Sequence, residues 1–253
     1  MNKSTISAAE RLQLRRRLER IWRETQTRLD RYFTLPRSFS FDEVFSLSEN
    51  DKGLSCTVNF IALKFSDRYG STGEKVIFAV IEGTFNLELD ATYPNGLVIA
   101  NPQTKLSYFR KRVQVSARHP HFEHCFGVHY DFDDALIGHP LYHSQFKPMM
   151  DHFDVVVRNF FREEGSDFCL PDNKMEGIPR NVRIPTAQMD VFSVLLQIVA
   201  DHGTSDSSTP DERERFSRFR ELCFRMRGGI GKSENIKDSV SRSCFRSPHW
   251  YNT

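Results

Sequence analysis

Alternating apolar and polar residues between Leu54 and Ser116 constrain the fold of this chain more than any other feature. A period of two is typical of a strand with one buried face. The apolar positions keep one parity up to Phe60 and then switch to the other, which predicts a β-bulge. The first set is Cys56, Val58 and Phe60, and the second is Ile61, Leu63 and Phe65.

Further strands follow in the same part of the chain. The apolar run from Ile77 to Leu89 keeps one parity past Gly83, which predicts one long strand or two strands joined there. Short strands are predicted at 97–100 and 106–116, after a turn at 93–96. Because successive strands are joined by short turns, we expect an antiparallel meander.

Helical periodicity lies on both sides of this strand region. Ser7 and Glu10 have the spacing of a capping box, and apolar residues then recur every three or four positions until Pro36. Later helices are predicted at 148–164, from near Pro185 or Thr186 to 203, and from Thr209 to the glycine pair at 228–229.

These patterns predict an α+β fold with a long N-terminal helix, a curved antiparallel sheet and C-terminal helices packed on it. A chain of 253 residues buries one substantial core. We divide it into a basic N-terminal helix (1–36), a main α+β domain (37–203), a C-terminal helix (204–229) and a flexible basic tail (230–253).

The composition narrows the class of protein. Five cysteines without a CxxC pair favour a reducing compartment over a disulfide framework. The N-terminal residues are charged throughout, unlike a signal peptide, and the longest apolar run, 76–81, is too short to span a bilayer. We therefore expect a soluble, cytoplasmic protein without membrane contact, whose net charge of +2 neither requires nor excludes nucleic acid.

Histidine is concentrated in one segment. Seven of the nine histidines lie between His119 and His152. Residues 126–133 alternate like a strand and 141–146 is short enough to be a return strand, which together predict a hairpin. In that hairpin His129 and Asp131 lie across from His143, on the face that is not core, and His139 shares the parity of His143.

This arrangement makes His129, Asp131, His139 and His143 the candidate catalytic residues. Imidazoles transfer protons or bind metals near neutral pH, and a carboxylate fixes the tautomer of a neighbouring ring. Three interpretations stay open: acid–base or ligand-binding chemistry, as in a ribonuclease-like cleavage, a His/Asp metal site, and hydrogen bonding to the backbone. Neither a cofactor nor a metal is assigned.

Other motifs in the chain are weaker. His139 and His143 are four residues apart, but Pro140 disfavours the helix that an HExxH zinc site needs. The first histidines, His119, His121 and His124, surround Pro120 and are expected in a solvated loop. The GGIGKS segment lacks the spacer of a phosphate-binding loop, so nucleotide binding is not predicted.

Three segments resemble an uncharacterised bacterial family found among antiviral defence genes. Its members show a YD pair, an HPxxHxxxG segment and an arginine-isoleucine-proline segment followed by an apolar helix. The matching positions are Tyr130, Asp131, His139, Pro140, His143, Arg183, Ile184 and Pro185. The resemblance covers about a third of the chain, which carries Lys147 and Pro148 where the family has its glycine. It implies a defence-associated component but no particular reaction.

Clustered arginines indicate a second functional surface. Eight arginines lie between Arg11 and Arg31 against three acidic residues. Such a helix is either a solvated face behind an apolar stripe or a docking helix for a protein partner or a phosphate backbone. The candidate binding residues are Arg15, Arg16, Arg23, Arg110, Arg112 and Arg183.

Two functions follow from these observations. The first is an accessory or protein-interaction component of a bacterial system, in antiviral defence as the resemblance implies. The alternative is a histidine-dependent hydrolase or nuclease that uses the 129–143 hairpin. Whether the chain is an enzyme stays open at this point, as do its partner and its substrate.

Overall fold

A computed structural model describes residues 6–35, 40–66, 76–89, 97–112, 121–132, 142–147, 155–163, 167–169, 184–186, 189–204 and 209–226. The helices are α1 (Ala8–Leu29), α2 (Phe41–Val44), α3 (Val155–Glu163), α4 (Val191–Ile198), which continues as a π-helical turn (Val199–Gly203), and α5 (Pro210–Met226). The strands are β1 (Phe45–Glu49), β2 (Gly53–Ser66), β3 (Val76–Leu89), β4 (Leu97–Arg112), β5 (His121–Phe132), β6 (Tyr142–Lys147), β7 (Asp167–Cys169) and β8 (Ile184–Pro185).

All eight strands belong to one sheet, in the order β1-β2-β3-β4-β5-β6-β8. Every pairing along this path is antiparallel, whereas β7 lies off the path and pairs in parallel with β5. The predicted α+β class, with its N-terminal helix, curved antiparallel sheet and C-terminal helices, is therefore confirmed.

The N-terminal helix forms as its sequence predicts. The side chain of Ser7 accepts a hydrogen bond from the backbone of Glu10, whose carboxylate accepts from the backbone of Ser7 in return. Its apolar stripe is buried, and Trp22 meets Phe45 of β1 edge-to-face with ring centroids 5.4 Å apart. This stripe belongs to the same hydrophobic core as the sheet.

Irregularities in β2 and β4 set which residues face the helices. The bulge predicted in β2 is confirmed, because the pairing with β3 shifts between Val58 and Ile61. The strand structure predicted at 97–100 and 106–116 is confirmed as far as residue 112, and residues 113–116 lie outside the described ranges. The predicted break between the two strands is wrong, since β4 is continuous and pairs with β3 along most of its length. The pairing shifts near Asn101, whose positive φ of 50° bends the strand instead of ending it.

The C-terminal helices also correct the sequence interpretation. The first of them begins at Val191 and not near Pro185 or Thr186. Pro185 instead pairs with β6. Asp190 caps the helix by accepting hydrogen bonds from the backbone N–H groups of Phe192 and Ser193. The predicted start at Thr209 is confirmed by a reciprocal pair of bonds with Glu212. Of the helix predicted at 148–164, residues 148–154 lie outside the described ranges.

The sheet buries both faces to different extents. One face, here called the α4 face, packs on α1, α4 and α5, and includes Leu63, Ile81 and Leu106. The opposite face, here called the α3 face, packs on Phe160 and Phe161 of α3. Its apolar part includes Phe60, Phe78, Phe109 and Phe122.

The fold does not test the four-part division of the chain, which stays a prediction. Among the helices in the described ranges, none combines the length and apolar character required to cross a membrane.

Replacing Leu18 with alanine tests whether α1 is part of the core. Leu18 is fully buried, so its truncation should lower the free energy of unfolding by about 2–5 kcal/mol. Leu12 lies on the same helix with 47% of its surface exposed, and Leu12→Ala should change stability by no more than about 0.5 kcal/mol. Urea unfolding followed by circular dichroism measures both, and equal losses would contradict the packing described.

Candidate functional site

Pairing between β5 and β6 brings two histidines and an aspartate together. Asp131 is the direct partner of His143, and His129 is the partner of Gln145. Because alternate residues share a face, His129 and Asp131 lie on one side of β5 and Tyr130 on the other. The shared side is the α3 face, beyond the apolar residues that α3 covers.

The three side chains meet at the carboxylate, and we call them the His–Asp–His cluster. Nε2 of His129 lies 2.8 Å from Oδ1 of Asp131, and Nε2 of His143 lies 3.8 Å from Oδ2. The exposed side-chain fractions are 14% for His129, 19% for Asp131 and 4% for His143. Each imidazole is thus within ion-pair distance of a different oxygen of one partly buried carboxylate.

The ring of His129 has one nitrogen directed at Asp131 and one that is not. Its Nδ1 is buried and has no hydrogen-bond partner within the described part of the chain. The other ring nitrogen, Nε2, faces the carboxylate at ion-pair distance.

Neighbouring strands add polar groups to the same face. Lys105 of β4 pairs with His129 and is exposed, and Gln145 of β6 pairs with His129 on the other side. Side chains of directly paired residues lie about 5 Å apart at Cβ. On its other side Lys105 pairs with Glu82 of β3, so this ammonium lies between an imidazole and a carboxylate. The sequence offered no sign of Lys105, because only the register reveals it.

A metal site finds no support in this geometry. No group of three or more histidine, cysteine, aspartate or glutamate side chains is arranged to hold a metal ion within the ranges described.

The other candidate residues lie away from the His–Asp–His cluster or outside the described residues. His139 and Arg183 lie outside the described residues, and Arg112 is the last residue of β4. Arg110 is half-buried in β4, opposite Ile77 of β3. Arg15, Arg16 and Arg23 are exposed on α1, which packs on β2 and α5.

The loop expected around the first histidines is wrong for His121 and His124, which belong to β5. His124 is 2% exposed, its ring centroid is 5.2 Å from that of Phe109, and its Nε2 has no hydrogen-bond partner among the described residues. Burial lowers the pKa of His124, so this ring is neutral at neutral pH. His124 is therefore part of the apolar packing on the α3 face. The remaining histidine of this group, His119, lies outside the described residues.

A cleft on the opposite face was not predicted. It lies between β5, β6 and the helices α4 and α5, where the hydroxyl of Tyr130 donates to Oε1 of Gln197 across 3.1 Å. Gln197 was the available signal, because it is, with Ser193, one of two polar residues in the mainly apolar sequence VFSVLLQI.

No protein-family model, curated protein or solved structure matches this chain. The resemblance to the defence-associated family therefore stays a prediction, and the function is argued from the site.

Proposed function

We propose that the His–Asp–His cluster performs general acid–base catalysis without a metal, and that its substrate is an RNA phosphodiester. The observation that carries the proposal is the approach of His129 and His143 to the two oxygens of Asp131. Such a set holds the tautomers of its rings and transfers protons near neutral pH. The adjacent Lys105 provides the positive charge that a phosphate requires.

The difference in exposure between the two rings suggests distinct roles. His129 is the more exposed of the two rings, so we assign it as the base that takes the proton from a ribose 2′-hydroxyl. Asp131 orients His129, and the nearly buried His143 holds Asp131 in place. The 2′ oxygen then attacks phosphorus and forms a 2′,3′-cyclic phosphate.

The leaving 5′ oxygen needs a proton from a second group. His139 is assigned this role as in the sequence analysis, and its structure lies outside the described residues. It is four residues from His143, so chain length alone keeps the two Cα atoms within about 14 Å. The segment that contains His139 joins β5 to β6 at the Phe132–Tyr142 pair, next to Asp131 and His143.

Cleavage of a single-stranded RNA oligonucleotide in EDTA tests this proposal. The protein should form products with 2′,3′-cyclic phosphate ends, and His129→Ala or His139→Ala should each slow cleavage by about 10²–10⁴-fold. The rate should depend on pH with a maximum, because one group must be unprotonated and another protonated. Thermal unfolding shows that each variant is folded.

Matched variants separate chemistry from general damage. His249→Ala changes a histidine outside the 119–152 segment and should leave the rate unchanged. Lys105→Gln should weaken RNA binding, whereas Lys52→Gln, which removes an exposed lysine near Glu88, should not. An absence of cleavage, loss of cleavage in EDTA, or full activity in folded His129→Ala would contradict the proposal.

A second function is favoured by the outer surface of α1. Arg16, Arg20 and Arg23 are spaced at four and three residues, so they lie along one exposed side of the helix. They make no ion pair with other described residues, whereas Arg11 pairs with Glu49 and Arg15 with Asp42. The exposed Leu12 precedes Arg16 by one turn. We propose that this arginine ridge binds an acidic protein partner in a bacterial, antiviral-type system.

Charge reversal of Arg16, Arg20 and Arg23 to glutamate tests the arginine ridge. The triple variant should lose co-purification with an acidic partner from the native host, because attraction becomes repulsion across the interface. Arg220→Glu on the exposed side of α5 is the control and should retain the partner. A partner that stays bound to the triple variant, or that proves to be RNA, would contradict this assignment.

A further inference from the structure

The cleft on the α4 face has the dimensions of a small-molecule site. Its volume is about 560 Å³, which falls within the range of about 300–1,000 Å³ found for ligand pockets. One wall comes from the sheet, through Tyr130 and Thr186, and the other from α4 and α5, through Leu196 and Phe216. Met189, in the segment before α4, also lines the cleft.

Its lining determines what kind of ligand fits. Apolar atoms form most of the wall, and no charged side chain is among the described residues that line it. Burying a charged group without a partner is costly, so nucleotides and other phosphorylated molecules do not suit this cleft. A neutral, mainly apolar molecule does.

Two polar groups provide hydrogen bonds for such a molecule. Oγ1 of Thr186 is buried, lines the cleft and has no hydrogen-bond partner within the described residues. Gln197 uses its Oε1 to accept from Tyr130, and the N–H groups of its amide are not involved in that bond. Since a buried hydroxyl without a partner costs free energy, Thr186 favours a ligand that carries a hydroxyl or carbonyl group.

We propose that this cleft binds a small, uncharged, largely apolar molecule through one hydrogen-bonding group directed at Thr186 and Gln197. The site differs from the His–Asp–His cluster, because Tyr130 and Asp131 point to opposite faces of β5. Binding here is therefore independent of the proposed RNA cleavage, and either can be wrong without the other.

Fluorescence titration with N-phenyl-1-naphthylamine tests the proposal directly. This neutral, apolar probe should bind one site with a Kd on the order of 100 μM or tighter, as expected for a ligand of its size. The neutral alcohol 1-decanol should displace it at least about 10-fold more effectively than decanoate, because the cleft has no counter-charge for a carboxylate.

Substitutions that fill the cleft test whether the probe binds there. Ala200→Trp places a large ring in the cleft from an exposed position on the π-helical turn, and should weaken probe binding at least about 10-fold. Leu196→Trp is the second filling variant if the first fails to fold. The control Leu12→Trp adds the same ring to an exposed site on α1 and should bind the probe like the unchanged protein.

Thr186→Val tests the polar end separately. It removes the hydroxyl at nearly constant volume, so 1-decanol should bind about 3- to 10-fold more weakly, the loss expected for one hydrogen bond. Non-saturable probe binding, equal binding to both filling variants, or equal potency of decanol and decanoate would overturn the proposed site. Unchanged decanol affinity in Thr186→Val would overturn the role of Thr186.

Discussion

The register of β6 against β5 positions the residues of both the His–Asp–His cluster and the cleft on the α4 face. It places Asp131 opposite His143 and Tyr130 opposite Ser144. A shift by one residue would exchange the two faces of β6 relative to β5. The carboxylate would then lose the His143 ring, and Ser144 would leave the wall of the cleft beside Tyr130. One pairing therefore sets both the polar cluster and the cleft.

Contacts on the α4 face hold that register. Tyr130 is buried and donates to Gln197 of α4, while Val128 and Leu106 pack beside it in the core. Tyr130 and Val128 are buried only if they face α4. His129 and Asp131, which alternate with them along β5, therefore lie on the α3 face. The core on the α4 face thus stabilises the position of the cluster on the opposite face.

The same strand gives its histidines two different environments. His124 packs against Phe109, and burial lowers its pKa. His129, five residues later, lies beside Asp131 and Lys105. A neutral ring in an apolar cluster has a packing role, whereas a ring paired with a carboxylate can exchange protons. Environment, and not residue type, distinguishes the candidate catalytic group from the structural one.

Sequence periodicity predicted much of this arrangement, and its failures have identifiable causes. The alternation at 126–133 was enough to place His129 and Asp131 on one face, and the hairpin brought His143 to them. His124 was missed because a register shift between β4 and β5 adds one residue, Cys125, to β5. That extra residue moves His124 to the face of His129, against simple alternation. The prediction missed β1, α2 and β7, because each has five residues or fewer and is too short to show a periodic pattern.

Ring-nitrogen NMR of Asp131→Asn tests the central claim, that one carboxylate serves both imidazoles. With all histidines labelled with ¹⁵N, the nitrogen chemical shifts of both His129 and His143 should change, because each Nε2 approaches its own oxygen of Asp131. The buried His124 should keep its shifts, since its ring packs on Phe109. If only one ring responds, or neither, the shared carboxylate does not exist and the proposed site fails with it.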